Sequence, residues 1–425
     1  MLLSIVTRCR FAGISSPIRW RQTTYSYGTT APFRTLSSVC RRTNKINHKS
    51  FKIMKNPVLQ SRRAIQTTRP RNVNPLLMAV LRPISKVAAV LVGRGFRKWW
   101  QSLPKLKREL FIQHLRRNIR IYVFGSLLLG SAGYSYYENH ITTTPFTGRK
   151  RFMVFTPNQL FTISQEMYHE EMAQFANQKM PADHPMVTRV SRVGNRLLQA
   201  NNNIPQLYTK LWTVTVIDDP TKNCLVLPSG DIIMFRGMMD FFENDDQLAT
   251  ILAHEMSHAI LEHAAEQLSH GYLLDILILL PLAIIWAFLP SDGIAAVTHW
   301  FLLRVVEVLL KLPYSRKIED EADSVGLQLA AKACYDVREA SAFWGKLCLQ
   351  EKIRNQAGME TDSVPAFLST HPSNSSRQER IDEQMADALK LREFCQCPKL
   401  ADKDPRLEIR KLLEYMETDS HVIAS

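Results

Sequence analysis

Apolar residues recur at helical spacing along most of the chain after residue 155. The pattern predicts helices over 159–178, over 184–201, over the stretch that Asp245 or Asp246 begins, and over 294–312. Strand-like patterns are confined to LWTVTVID at 211–218 and to NCLVLPSGDIIMFRG at 223–237, which alternates around a Pro-Ser-Gly turn signal. The chain is therefore predicted to be mainly α with a small β-hairpin or sheet.

One uncharged apolar segment precedes these elements. Residues 121–137, IYVFGSLLLGSAGYSYY, carry no charge over 17 positions, which is the short end of what spans a bilayer. Six Lys and Arg lie within 101–120, and this positive flank is expected on the inner side of the membrane. We predict a single transmembrane helix at 121–137; a buried core helix is the alternative.

Two further apolar stretches are weaker candidates for membrane contact. Residues 276–290, ILILLPLAIIWAFLP, are shorter than a spanning helix needs. We therefore predict that 271–312 is a hydrophobic insertion that lies against the membrane without crossing it. A re-entrant or core helix remains open there. Residues 76–92 contain Arg82, Pro83 and Lys86, which favours an amphipathic segment over a span.

Charge divides the chain into two parts. The net charge is +15, yet residues 1–108 contain 23 Lys and Arg and no acidic residue. Residues 109–425 hold 31 basic against 39 acidic residues, so no basic excess remains there to bind nucleic acid. An acid-free segment rich in Arg, Ser and Thr is typical of a mitochondrial transit peptide; a disordered basic tail is the alternative.

These patterns predict an organisation for the whole chain. A mitochondrial transit peptide would cover 1–70, a basic segment in the matrix 71–120, and a domain facing the intermembrane space 138–425. The basic residues beside the membrane could also bind anionic lipid head groups.

The segment HEMSH at 254–258 carries the candidate chemistry. On a helix, His254 and His258 lie on one face and can bind one ion, while Glu255 beside them can act as general base. Solvated helix histidines are the alternative. The metzincin pattern is excluded, because its third histidine would fall at position 264 and His263 has the wrong spacing.

A third ligand is offered by SRKIEDEADSVGLQLAAKA at 315–333. Glu319 and Asp323 are four residues apart on one helical face. Glu319 could complete a tetrahedral site, and Asp323 could accept the outer N–H of a ligand histidine. Glu321 and Glu307 are competing ligand candidates, and a solvated acidic face is the remaining alternative.

Two downstream residues could assist catalysis. His371 precedes a proline, which indicates a loop or turn, and Arg377 follows in SNSSRQER. Near a metal site they could stabilise an oxyanion, although each taken alone is more simply a surface residue. The cysteines show no metal-site spacing, so their redox state is left open.

Together these motifs resemble the integral-membrane zinc peptidases of the HtpX and CAAX-prenyl-protease type, a gluzincin family. That family reads HExxH, then Glu within R-x-x-E-x-x-A-D, then His-Pro, and the order matches here over roughly residues 160 to 390. The resemblance implies one Zn²⁺ per chain in a gluzincin-type domain at 138–425. The implied zinc ligands are His254, His258 and Glu319, with Asp323 behind them; the implied catalytic residues are Glu255, His371 and Arg377.

The transit peptide and membrane helix narrow the resemblance to mitochondrial inner-membrane members of this family. It implies a zinc-dependent endopeptidase that cleaves membrane-anchored proteins in quality control and stress response, including the dynamin-like GTPase of membrane fusion. A non-catalytic, zinc-stabilised membrane scaffold and a prenyl-peptide peptidase of another membrane remain alternatives. Cleavage-site preference and the existence of a homo-oligomer are left open.

Overall fold

A computed structural model describes residues 75–356, 366–367, 371 and 375–413. The predicted transit peptide lies outside the described residues. The helices are α1 Pro75–Ser102, α2 Lys105–Arg117, α3 Ile119–Asn139, α4 Pro157–Gln174, α5 Pro185–Ala200, α6 Pro205–Tyr208, α7 Arg236–Met239, α8 Asp245–Ile260, α9 His263–Phe288, α10 Asp292–Val306, α11 Leu312–Lys332, α12 Arg338–Gln356 and α13 Ser375–Phe394, with a π-helical turn at Glu307–Lys311 between α10 and α11. This mainly helical architecture confirms the predicted fold class.

The strands form two small sheets. A hairpin of β1 (Ile141–Thr143) and β2 (Lys150–Phe152) directly follows α3. A second sheet has the order β3–β5–β4, in which β5 (Asp231–Phe235) pairs parallel with β3 (Thr213–Ile217) and antiparallel with β4 (Cys224–Val226). The predicted hairpin at 223–237 is confirmed, and β4 is left as an edge strand beside helix α8.

Helix α8 runs through the centre of the domain. Thirteen of its residues are buried, and it packs against α5, α11 and α12. The helix begins after Asn244, whose side chain accepts a hydrogen bond from the backbone N–H of Gln247 at 2.8 Å. The predicted cap at Asp245 or Asp246 was wrong, because both residues lie within the first turn of the helix. Their negative charges there interact favourably with the positive end of the helix dipole.

Helix α3 contains the predicted membrane segment. It is one continuous helix of 21 residues with no buried residue. Among the described residues, two stretches are long and apolar enough to cross a membrane: His263–Phe288 and Asp292–Lys332. The expectation that 276–290 is too short was wrong, because the helix extends back to His263. A span at 121–137 stays a prediction.

Helix α1 packs along the side of the apolar helix α9. Within this pair, Asp275 of α9 lies 2.5 Å from Arg82 Nε and 2.6 Å from Lys86 Nζ of α1. The charges that interrupt 76–92 are therefore paired with a partner far away in sequence. Assignment of this segment to the matrix stays a prediction.

One disulfide joins Cys334, just after α11, to Cys397, which follows α13. The sequence left this pairing open, because the two residues are 63 positions apart and the Cys395-x-Cys397 pair has no second close pair to indicate a partner.

Candidate metal centre

Two histidines of α8 and one glutamate of α11 direct their side chains into one buried site. His254 Nε2 lies 3.1 Å from His258 Nε2 and 3.4 Å from Glu319 Oε2, and His258 Nε2 lies 3.5 Å from Glu319 Oε1. The histidines share a face because they are one helical turn apart, and the glutamate reaches them from a neighbouring helix. The structure thus brings the three predicted ligands together.

His371 adds a fourth donor to this group. Its Nδ1 atom lies 2.9 Å from Glu319 Oε2 and 3.3 Å from His254 Nε2, while its Nε2 atom lies 3.2 Å from Glu255 Oε1. Ligand atoms of His254, His258, Glu319 and His371 all lie within 4.8 Å of one another. The sequence indicated that His371 sits in a loop, and the resemblance implied a catalytic role; its contacts with His254 and Glu319 are set by the fold.

The donor set fits a divalent metal ion. Imidazole nitrogens combined with a carboxylate oxygen are the ligands typical of zinc and similar transition metals. The outer nitrogen of His254 is also engaged, since Nδ1 lies 2.9 Å from Asp323 Oδ1. An ionised carboxylate can only accept, so in the neutral ring Nδ1 carries the proton and the Nε2 lone pair is left for a metal ion.

Arg377 holds the carboxylate of Asp323 in place. It donates from Nε to Asp323 Oδ2 at 2.6 Å and from Nη2 to Asp323 Oδ1 at 2.8 Å. Its guanidinium carbon lies 3.5 Å from the ring centroid of Trp344, and only 1% of the residue is exposed. The guanidinium also reaches Glu319, with Nη1 3.2 Å from Oε2. These contacts give Arg377 a positioning role; its predicted contact with an oxyanion stays a prediction.

Glu255 lies between the donor set and edge strand β4. It is buried, and it accepts a hydrogen bond from the backbone of Val226 in that strand. Burial raises the pKa of Glu255, and the charges of His371 and His254 oppose that rise. A carboxyl with a raised pKa is suited to exchanging protons near neutral pH.

Comparisons with known proteins agree with this geometry. Residues 186–385 match peptidase family M48. The chain is 39% identical over 334 residues to "Metalloendopeptidase OMA1, mitochondrial" of Danio rerio, covering 78% of this chain and 69% of that protein. It is 32% identical over 298 residues to "Mitochondrial metalloendopeptidase OMA1" of Schizosaccharomyces pombe, covering 70% and 82%.

This chain belongs to peptidase family M48. It is also 38% identical over 352 residues to the Bos taurus protein "Metalloendopeptidase OMA1, mitochondrial", covering 82% of this chain. It spans just under two thirds of the curated mammalian relatives, 66% of the bovine and 63% of the human protein. The family resemblance predicted from the motifs is confirmed, and a metal ion is the cofactor implied for an M48 metallopeptidase.

The two competing ligand candidates lie elsewhere in this M48 domain. The carboxylate of Glu321 pairs with Arg149, and the Oε2 atom of Glu321 lies 3.3 Å from His263 Nε2. Glu307 lies in the π-helical turn, where it pairs with Arg304 at 2.5 Å. Among the acidic candidates of the sequence, Glu319 alone joins the donor set.

The two helix histidines differ in proton affinity when no metal is bound. Burial lowers the pKa of His258 well below its usual range. Burial also acts to lower the pKa of His254, but the hydrogen bond and charge of Asp323 outweigh it and raise that pKa to about 9. Metal binding near neutral pH therefore has to displace a proton from His254.

Proposed function

We propose that this chain is a zinc-dependent endopeptidase of the inner mitochondrial membrane. The observation that carries the proposal is Glu255, a buried carboxylate outside the ligand set whose Oε1 atom lies 3.2 Å from His371 Nε2 and which accepts a hydrogen bond from Val226 of the edge strand. A structural metal site has no need of a buried carboxylate that is not a ligand, whereas a hydrolase needs one as general base. Relatives named mitochondrial metalloendopeptidases support the same activity and compartment.

The donor set favours one zinc ion per chain, held by His254, His258 and Glu319. Two imidazoles and one carboxylate form the ligand set of many catalytic zinc sites. When bound, the ion supplies Lewis-acid activation of the scissile carbonyl and of water.

The residues of the chain then have separate tasks. Glu255 accepts the proton of the attacking water and returns it to the leaving amine. Asp323 fixes the tautomer of His254, and Arg377 fixes Asp323. His371, whose Nε2 atom faces Glu255, is proposed to stabilise the oxyanion, together with Arg377 as the resemblance implies.

Edge strand β4 offers a place for an extended substrate. The backbone groups of Asn223 and Leu227 form hydrogen bonds with β5. The backbone N–H and C=O groups of the alternate residues Cys224 and Val226 therefore point away from β5, toward the free edge of the strand. Val226 is also the residue that bonds to Glu255. We propose that substrates add a strand along this edge, which selects main chain rather than sequence.

Several features support the membrane assignment. The apolar helices α9 and α10 expose large side chains, for example Leu280 at 69% and Val297 at 67%, which suits contact with lipid. We propose that α3 crosses the inner membrane once through 121–137, with its basic flank in the matrix, where anionic lipid would bind. The disulfide between Cys334 and Cys397 supports placing the peptidase domain in the more oxidising intermembrane space.

The proposed substrates are proteins anchored in the inner membrane, cleaved in quality control and stress response. The dynamin-like GTPase of membrane fusion is the one implied by the family resemblance. A substrate that presents an extended segment of backbone next to the membrane would suit both the β4 edge and the apolar helices.

A zinc-stabilised scaffold is the second candidate function. The observation that favours it is His371, because four protein donors around one ion are the signature of a closed structural site. In a scaffold His371 would hold the metal permanently, whereas in a peptidase it would give way to substrate and water.

The deciding experiment compares the full chain in liposomes with its Glu255→Gln and His371→Ala variants, each incubated with the same zinc concentration and assayed for bound zinc and for cleavage. A membrane-anchored model protein serves as substrate. We expect wild type to cut and Glu255→Gln to bind zinc without cutting. His371→Ala should retain zinc, because three ligands remain. Loss of zinc from His371→Ala, together with no cleavage by wild type, would establish the scaffold.

A further inference from the structure

The outer nitrogen of His258 contacts another histidine. His258 Nε2 faces the donor set, and its Nδ1 atom lies 3.0 Å from Nδ1 of His263, the first residue of α9. Only 1% of His263 is exposed. Metal-bound histidines normally donate this outer N–H to a carboxylate, a carbonyl or water. His254 follows that rule with Asp323, but His258 relies on an imidazole, which must itself be held in the right tautomer.

Glu321 sets that tautomer. His263 Nε2 lies 3.3 Å from Glu321 Oε2, and an ionised carboxylate can only accept a hydrogen bond. His263 Nε2 therefore carries the proton, and Nδ1 of the neutral ring is left as an acceptor. His258 must then donate from its own Nδ1, which leaves the Nε2 lone pair for the metal. One carboxylate thus fixes two imidazoles in succession.

Glu321 is held by the hairpin that follows helix α3. Arg149 donates to Glu321 Oε2 from Nε at 2.9 Å and from Nη2 at 2.5 Å. Thr144 donates to Glu321 Oε1 at 3.1 Å, and Thr147 contacts the same atom. These three residues lie between the start of β1 and the start of β2. The hairpin after the predicted membrane helix therefore supplies the partners of this carboxylate.

Arg149 also pairs with Glu266 of α9, with Nη2 2.8 Å from Oε2. His263, Glu266 and Glu321 place donor atoms within 4.8 Å of one another, a spacing that suits a metal ion. The guanidinium already supplies the positive charge between the two carboxylates, so this cluster is an ion-pair network rather than a second metal site.

We propose that Arg149, Glu321 and His263 form a relay that positions His258 for metal binding. It follows that the metal site reaches full affinity only when the hairpin 141–152 is docked against α9 and α11. The relay rests on the metal site of the proposed function but not on catalysis, because its effect is on metal affinity. Its members are positioning residues and touch neither metal nor substrate.

The test measures the zinc dissociation constant of the full chain by competition with a fluorescent zinc chelator, without substrate. His263→Phe keeps a ring of similar size but removes the acceptor, and Arg149→Gln removes the clamp on Glu321. Each is expected to weaken zinc binding about 10- to 100-fold, the range found when an outer partner of a metal ligand is lost. Because both act through His258, the double variant should be no weaker than the weaker single variant.

Arg151→Gln is the matched control. Arg151 lies in β2 of the same hairpin and is more deeply buried than Arg149, but it contacts the backbone oxygen of Leu261 and the side chains of Glu262 and Glu266 rather than Glu321. Its zinc affinity should stay within about threefold of wild type. An Arg151→Gln loss as large as that of Arg149→Gln would mean general loosening of the hairpin and would overturn the relay.

A pair of Glu321 variants guards against misfolding of the arginine variants. Glu321→Gln keeps an oxygen for His263 and Arg149 and turns its amide toward Thr144 and Thr147, whose hydroxyls can accept. It should bind zinc more tightly than Glu321→Ala by about tenfold. Equal affinities for the two variants, or wild-type affinity for His263→Phe, would refute the relay. Neither result bears on whether Glu255 catalyses cleavage.

Discussion

Gly326 of α11 lies against the backbone of His254 in α8. A Cβ atom added at Gly326 would be 2.9 Å from the backbone nitrogen and 3.0 Å from the Cα atom of His254. The neighbouring atoms are backbone and cannot rotate away, so the two helices can approach this closely only with glycine at this position. The same α11 carries Glu319 and Asp323, and its distance from α8 therefore sets the geometry of the metal site.

Gly326→Ala is expected to push α11 away from α8. The variant should lose about 1–3 kcal/mol of unfolding free energy from overpacking, and it should bind zinc more weakly because Glu319 moves. Urea unfolding and a zinc competition titration measure the two effects. Gly194→Ala in α5 is the control, since its added Cβ meets nothing within 4 Å. It should stabilise the helix by up to about 1 kcal/mol.

Arg377→Lys separates positioning from direct catalysis. Lysine cannot form the paired hydrogen bonds to Asp323, so His254 loses part of its support. We expect zinc affinity to fall about tenfold. A variant that binds zinc like wild type but has a reduced kcat would instead indicate contact with the oxyanion. Arg380→Lys, at the half-exposed ion pair with Asp320, should change neither quantity.

Zinc uptake should release a proton from His254. The pKa of this residue in the metal-free site is raised to about 9, so the ring is protonated at pH 7.5 and must be neutral in the complex. Zinc affinity is therefore expected to increase with pH up to about 9 and to level off above it. Calorimetry in two buffers of different ionisation enthalpy counts the protons released.

Asp323→Asn provides the control for this proton count. It removes the charge that raises the pKa of His254, so fewer protons should be released at pH 7.5. An affinity independent of pH between 7 and 9 in the wild type would contradict the assignment.

Reduction of the disulfide between Cys334 and Cys397 should destabilise the domain. The bridge closes a loop of 63 residues, so its loss is expected to cost about 4 kcal/mol of unfolding free energy in the chain-entropy estimate. Urea unfolding with and without reductant measures the change. Cys334→Ser should be as unstable as the reduced wild type and should not respond to reductant. A response in that variant would assign the effect to another cysteine.

The sequence by itself determined the parts that depend on local spacing. HEMSH predicts two histidines on one helical face because the period of the helix is fixed. Alternation on both sides of Pro228 and Gly230 predicts the hairpin of β4 and β5, because the period of a strand is also fixed and these two residues favour a turn. Helix ends were less well determined, since Asn244 and the aspartates after it are all good caps, and only the backbone geometry selects one.

Only the tertiary structure decided which distant residues share the site. His263 was set aside because its spacing is wrong for a ligand, yet folding places it behind His258 and joins it to Glu321 and Arg149. No periodicity relates Glu321 to His263, 58 positions before it, or to Arg149, 172 positions before it, and a buried charge acquires its partner only when the elements pack. The sequence thus specified the ligands on each helix, while packing chose the residues that hold them in place.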